Sequence, residues 1–486
     1  MMQCTFFAAG VPACGMLLFA VSFVHAGGEP PFVVNTFTTA MQIQPATAAL
    51  DDGGFVIVWS SQNQDGFGLG VIARVFDGDG TPRGTDFRVN EFTTGYQLLP
   101  AVAAIDDGFV VAWQSGPSLF CCTQDGDLFG VYARSFGLDG APASEEIQVN
   151  TYTTGSQANP SVTRLGDGFV VLWDSAGQDG DGSGVFGRRF DGRARALGDE
   201  LRVSEAAAGE QYGPSVASVS DGGFVVAWSD DSRPAGGRLD VRARAFTVSG
   251  AGGAEIVVDP SAGADQRRPR VAVAPEAAAI VWSPPDRDDV GVALRLFEPT
   301  LEPRSAVAQI NRFDVNRQLL TDASAAKHGF VVVWNSLGQD GDNEGVVARR
   351  VDVDGHVAGP ELLVNAFTPG EQSGGTVAIL ADGSFVVAWT SVGDGDQYGI
   401  LARRFSAGEG FAVCGDGDAS GAISAIDALV ALSTATGSST CAPQLCDVDG
   451  DGDIAADDAL LVLRVAVGLD VMLACATASA LQAGSR

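Results

Sequence analysis

Two stretches near the C-terminal end place oxygen ligands at a spacing that suits a hard cation. Asp416, Asp418, Ser420, Ala422 (through its carbonyl), Ser424 and Asp427 fall at positions 1, 3, 5, 7, 9 and 12 of a twelve-residue loop. Gly421 at position 6 permits the sharp turn such a loop needs. Asp447, Asp449, Asp451, Asp453 and Asp458 repeat the arrangement 31 residues later around Gly452. Carboxylates and carbonyls at this spacing wrap Ca2+, so two calcium ions are expected, one per loop.

A weaker acidic pattern recurs earlier, in Gln64-Asp65-Gly66, Gln124-Asp125-Gly126-Asp127, Gln178-Asp179-Gly180-Asp181, Gln339-Asp340-Gly341-Asp342 and Asp394-Gly395-Asp396. These Asp-Gly pairs read either as cation loops or as turns, and most copies lack a third and fourth ligand. Three loops depart from the pattern. One carries Cys121-Cys122, and two carry Asp230-Asp231-Ser232-Arg233 and Asp286-Arg287-Asp288-Asp289. Paired carboxylates there would suit acid-base chemistry, or simply a solvated surface. Beyond residue 26 only His328 and His356 remain, which excludes a His-rich zinc site and leaves few bases for a Ser-His-Asp triad. No phosphate-cradling G-x-x-x-x-G-K occurs.

The elements that must carry these loops are repetitive. All seven tryptophans end an apolar run, at Trp59, Trp113, Trp173, Trp228, Trp282, Trp334 and Trp389, with spacings of 54, 60, 55, 54, 52 and 55 residues. Around each, a short small-residue strand precedes the Trp strand, a polar loop follows it, and "G-V-x-A-R-x-F" and "V-N" close the unit. In the second unit the strands are expected at Pro100 to Ile105, Phe109 to Trp113, Gly130 to Phe136 and Glu146 to Asn150. The Trp strand is apolar on both faces, as a strand between two sheets must be. Seven such units without intervening helices predict an all-β fold, a seven-bladed β-propeller of four-stranded antiparallel blades. The last unit lacks an outer strand and Phe32-Val-Val-Asn35 is a spare one, so the N-terminal strand is expected to close the ring.

Two more residues recur in every unit. Gln42, Gln97, Gln157, Gln211, Gln266, Gln318 and Gln372 open the inner strands, and Arg74, Arg134, Arg188, Arg244, Arg295, Arg349 and Arg403 hold one position of the third. A need shared by all blades is structural: the glutamines would satisfy backbone groups at the strand turn, the arginines would pair with an Asp of a nearby loop, and the tryptophans would pack between blades, or stack on sugars at the rim.

Past residue 406 the pattern changes to loop-helix, loop-helix, with amphipathic runs at Ala425 to Ser433 and Ala456 to Val467. The tandem loops, with Asp at position 12 and no preceding helix, resemble a type I dockerin domain over about residues 414–475. The resemblance implies a small all-α module that folds around calcium and docks onto a cohesin-like protein, often in carbohydrate-degrading assemblies. The helix starts, Ala425-Ile426 and Ala456-Asp457, depart from the usual Ser-Thr-like recognition pair. Cys414, Cys441, Cys446 and Cys475 frame the two repeats. Their three possible pairings stay open on spacing, and the pseudo-twofold of dockerin-like pairs favours Cys414 with Cys475 and Cys441 with Cys446.

Residues 1–26 read as a signal peptide, an apolar run from Gly15 to Val24 ending in Val24-His25-Ala26, so export to the cell surface or medium is expected, with no later membrane span. The propeller spans residues 31–406, a linker 407–413, the module 414–475 and a tail 476–486. A net charge of −31, from 60 acidic against 29 basic residues, argues against nucleic-acid partners. The chain therefore reads as a secreted, monomeric, non-catalytic binding or surface-display propeller, its ligand a cell-surface glycan, with a calcium-dependent docking module. The alternative is a hydrolase or lyase of polysaccharides carried on the propeller.

Overall fold

The computed structural model describes residues 29–118, 123–232, 239–260, 265–285, 289–326, 329–357, 359–392, 397–407, 425–436, 446, 448 and 453–466. The first six Trp units each form four antiparallel strands in chain order. In the second unit these are Tyr96–Ile105, Gly108–Gly116, Gly130–Gly137 and the two-residue outer strand Ile147–Gln148. The first and second units join through one parallel bridge, Leu69 to Tyr96, into an eight-stranded sheet; the other units are separate four-stranded sheets. The fold is mostly β, built from repeated four-stranded antiparallel sheets. In the last sheet the outer strand is Phe32–Val33, with Phe32 opposite Ala402 and Val33 opposite Leu401.

The alternation of two apolar faces explains why the sheets stack. All seven Trp side chains are at most 1% exposed, packed with valines and phenylalanines of the neighbouring sheet. Burial at this depth removes them from any sugar-stacking role. Sheets of the first and last units meet through Phe55, Ile57 and Trp59 against Val386, Ala388 and Ile400. Thr47 and Thr376, on their inner strands, share a 3.0 Å hydrogen bond.

The recurrent glutamines cap backbone groups. Gln97 Nε2 donates to Thr94 O at 3.0 Å, Gln157 to Thr154 O at 3.1 Å, and Gln318 to Val315 O at 2.8 Å. The arginines differ from expectation. Their Nη1 groups reach a carbonyl of the preceding unit, as in Arg74 to Val34 O (2.8 Å) and Arg349 to Ile310 O (2.6 Å), and Arg134 and Arg244 pair with Glu91 and Glu205. A backbone carbonyl that every unit possesses is a partner sevenfold recurrence can rely on, whereas loop carboxylates vary.

Every inner strand breaks register just past its glutamine. At the break, Gln44, Leu99, Asn159, Gly213, Arg268 and Gly374 take left-handed φ values of 58, 52, 51, 62, 52 and 66°. A bulge of this kind leaves an N–H unpaired within its own sheet and re-aims a side chain. The freed N–H is taken by a polar side chain of the preceding unit, usually the one after the Trp: Asn159 N by Gln114 (3.0 Å), Leu320 N by Ser283 (3.0 Å), Gly374 N by Asn335 (3.2 Å).

Helices Ala425–Ala435 and Ala456–Ala466 pack through Ala428, Ala431, Ala459 and Val462, small residues that let the backbones approach, together with Val448 and Cys446.

Candidate active site

The bulges bring the variable residues of successive inner strands to the same end of the sheets, and units 3 to 6 are chemically unlike the rest. After Trp173 the bulge-capping residue is Asp174, where the other units have Ser60, Gln114, Ser229, Ser283, Asn335 and Thr390. Asp174 is 8% exposed. Its Oδ1 accepts from Asn159 Nδ2 at 3.0 Å and from Gly213 N at 3.1 Å. Burial, aided by the negative charge of nearby Glu210, pushes the carboxyl up to about 6 against the opposing pull of these hydrogen bonds. A neutral acceptor does the structural work elsewhere, so the titratable group is this unit's own.

Gly213 follows Tyr212, and beside them lies a group of arginines. The fifth inner strand, Arg267–Val273, begins Arg267-Arg268-Pro269-Arg270, where the other units carry apolar, small or neutral polar residues apart from Asp322 in the sixth. Arg267 Nη2 pairs with Asp265 at 2.7 Å. Arg317, just before the sixth inner strand, pairs with Glu344, which also accepts from Asn335 Nδ2 at 3.1 Å. Arg268 makes no hydrogen bond or ion pair among the described residues; partial burial and the like charges of Arg317 and Arg267 hold its guanidinium below its ordinary value, against the pull of Glu344. Burial raises the Tyr212 phenol, and the charges of Arg267 and Arg268 oppose this.

Deeper along the same strands, Arg270 Nε lies 3.9 Å from Asp322 Oδ1 and donates to Thr321 O at 2.9 Å. Asp322 Oδ2 accepts from Thr376 Oγ1 and Val377 N, both at 2.9 Å. Burial pushes both members of this pair toward neutrality and their mutual attraction opposes it.

The sites expected from sequence fare unevenly. Of the calcium ligands, Asp416, Asp418, Ser420, Ala422, Ser424, Asp447, Asp449 and Asp451 lie outside the described residues, as does the side chain of Asp427. Asp458 is 1% exposed, and its carboxylate accepts from Val448 N (2.7 Å) and Ala455 N (2.8 Å), holding both arms of the second loop. The Asp-Gly loops serve the fold. Asp65 and Asp340 accept from Asn90 and Asn365 at 3.0 and 2.8 Å, and their carboxylates fill the space a Cβ would need at Gly70 and Gly345.

Cys121-Cys122, Asp286-Arg287-Asp288, Asp394-Gly395-Asp396, His328 and three of the module's four cysteines, and with them the pairing, lie outside the described residues. In the fourth unit Asp230 is buried against Arg242 at 3.1 Å, and Arg242 in turn holds Glu255 at 2.6 Å. That carboxylate belongs to an ion network and is closed to substrate. Sequence reasoning thus looked to the loops and passed over the Arg267-Arg268-Pro269-Arg270 run. Aligning the seven inner strands under their glutamines exposes it at once.

No family model matches the chain, and no curated protein is similar to it. Among solved structures it is similar to a protein of unknown function from Dyadobacter fermentans (9% identity, 79% of this chain and 99% of that one, TM-score 0.47). It is also similar to an endo-arabinase from Bacteroides thetaiotaomicron (11%, 59% and 100%, TM-score 0.33) and an α-L-arabinofuranosidase from Fusarium graminearum in complex with an iminosugar inhibitor (14%, 64% and 93%, TM-score 0.42). These likenesses are of strand and sheet arrangement. The expectation of a non-catalytic binding or display protein is set aside: the two neighbours named here by an activity are an endo-arabinase and an α-L-arabinofuranosidase.

Proposed function

We propose that this chain is a carbohydrate-active enzyme, a glycoside hydrolase, whose site lies where the inner strands of units 3 to 6 end. The observation that carries the reading is the buried Asp174 carboxyl, raised to about 6 beside the exposed carboxylate of Glu210. Hydrolysis of a glycosidic bond needs an acid that holds its proton near neutral pH and a second carboxylate that stays ionised, and environment divides these roles between two chemically similar groups. Asp174 would donate to the departing glycosidic oxygen, and Glu210 would direct water or stabilise the charge developing on the sugar ring. The scaffold in this reading is a seven-bladed propeller closed by Phe32–Val33, which holds strand ends from different blades rigidly around one axis. A reducing-end assay on the full chain against a panel of plant and algal polysaccharides tests it. New reducing ends that vanish in Asp174→Asn and Glu210→Gln are expected, and absence of cleavage across the panel would sink the proposal. A rise in absorbance near the ultraviolet band of an unsaturated uronate would mark elimination instead of hydrolysis.

The C-terminal module is proposed to bind two Ca2+ ions and dock the exported enzyme onto a cohesin-like partner. Asp458, reaching both arms of its loop, fits a ligand at position 12. Leu429 and Leu460, and Leu432 and Leu463, are exposed at positions related by the same 31-residue repeat, an apolar face of the kind that marks a protein contact. Chelation is expected to abolish the helical circular-dichroism signal and leave the β signal in place; retention of the helices in chelator would refute calcium binding.

A further inference from the structure

We infer that the site takes an anionic sugar, a uronate or a sulfate ester, held by Arg268 with Arg267 and Arg317; this rests on the site assigned above and names its substrate class. The chain carries a net charge of −31, so an acidic polymer is repelled by the molecule as a whole. Yet three of its 29 basic residues converge at the ends of two adjacent inner strands. Two are matched by carboxylates, Arg267 by Asp265 and Arg317 by Glu344. Arg268 has no such partner among the described residues, and it feels both like charges.

The fold does not ask for that charge. At the same position, two residues past the recurrent glutamine, the other units have Gln44, Leu99, Asn159, Gly213, Leu320 and Gly374. None is cationic, and each inner strand still breaks register there or, in the sixth unit, one residue on. Arg268 is exposed and answers no need shared by the bulges, so its donors are open to a ligand. A guanidinium offers a planar fork of donors, which matches the paired oxygens of a carboxylate or sulfate and has no special match to a neutral hydroxyl. Tyr212, which feels the charges of Arg267 and Arg268, directly precedes Gly213, whose N–H donates to Asp174. The arrangement divides the site into a cationic half that anchors the acidic substituent and a carboxyl half that acts on the neighbouring bond.

Calorimetric titration of the full chain in calcium buffer is the test, with four probes: oligogalacturonate, its methyl ester, oligoguluronate and a sulfated galactan oligosaccharide. At least one acidic probe should bind ten-fold or more tightly than the methyl ester, the preferred one telling carboxylate from sulfate. Arg268→Gln should lose ten- to a hundred-fold of that affinity with unchanged melting, Arg268→Lys should restore part of it, and higher salt should weaken it. Equal binding of acid and ester, no binding of any acidic probe, or affinity untouched by Arg268→Gln would overturn the inference. Cleavage, read separately, keeps the two readings apart. Acidic binding without turnover upholds the anionic subsite and counts against the hydrolase, whereas turnover of neutral glycan unaffected by Arg268→Gln upholds the hydrolase and refutes the subsite.

Discussion

Units 1 and 2 and units 4 and 5 build the same strand end from opposite chemistry. The first pair places Ile43, Gln44, Leu98 and Leu99 around its bulges; the second places Tyr212, Gly213, Arg267 and Arg268. Backbone geometry is shared, with left-handed φ at Gln44, Leu99, Gly213 and Arg268 alike. The scaffold thus specifies a conformation and an acceptor for one N–H, and does not fix the residue type at the bulge. Freedom of that kind is where function can be added to a repeat without disturbing its core, because the Trp, Gln and Arg that hold each unit lie elsewhere in it.

The comparison breaks most visibly if the acid of unit 3 is removed. Asp174→Ala should lower kcat/KM by about 10²- to 10⁴-fold, while Gln114→Ala, the equivalent residue of unit 2, should leave turnover of correctly folded enzyme unchanged. Equal losses in both would show that the position matters only for folding. In the same assay the wild type should lose activity as pH rises through about 6, where Asp174 gives up its proton.

Deeper along the inner strands, Asp322→Ala leaves Val377 N and Thr376 Oγ1 without their shared acceptor and Arg270 without its ion-pair partner, and should cost about 2–3 kcal/mol in urea unfolding. The corresponding Ala46 and Ala101 of units 1 and 2 carry no such load, so substituting serine there should change little.

Stability also has a sign that separates unit 3 from its neighbours. The folded-state value of Asp174 lies near 6, above the ordinary 3.8. Folded protein therefore holds the proton more tightly than unfolded chain, and stability falls as pH rises from about 4 to 6 and stays lower above. Asp174→Asn should abolish this slope and add up to about 3 kcal/mol at pH 7. An unchanged slope would reassign the titration to another group.

The smallest effect concerns the bulge itself. At Gly213, φ is +62° and a Cβ would meet nothing within 4 Å, so Gly213→Ala should cost only the backbone preference, about 1 kcal/mol. Leu99→Gly, at φ 52°, should be neutral or slightly stabilising for the same reason. A loss well above that at either site would mean that the bulges of the two pairs are not equivalent.

Much of the fold was legible because its determinants are local and repeated. Seven apolar runs ending in Trp, each flanked by the same turn and strand signals, name the strands and their order. The spare Phe32-Val33 could be matched to a missing partner by counting. The bulges were not legible: Gln44, Leu99, Asn159 and Arg268 are not residues that announce a left-handed conformation, and the break follows from how neighbouring sheets meet. The candidate site was hidden for the same reason. Asp174 reads as one more residue after a Trp, and its altered acidity comes from burial and from Asn159, Gly213 and Glu210, which lie elsewhere in the chain.

By itself, then, the sequence determined the sheets, their repeat and the ligand spacing of the C-terminal loops, all properties of residues near one another in the chain. Tertiary structure alone decided which charges meet. Arg268, Arg317, Tyr212 and Asp174 are separated by 38 to 143 positions in the chain. Only the side-by-side packing of sheets, each shifted by one repeat, brings them to a common edge, where distance and burial rather than order along the chain set the electrostatics.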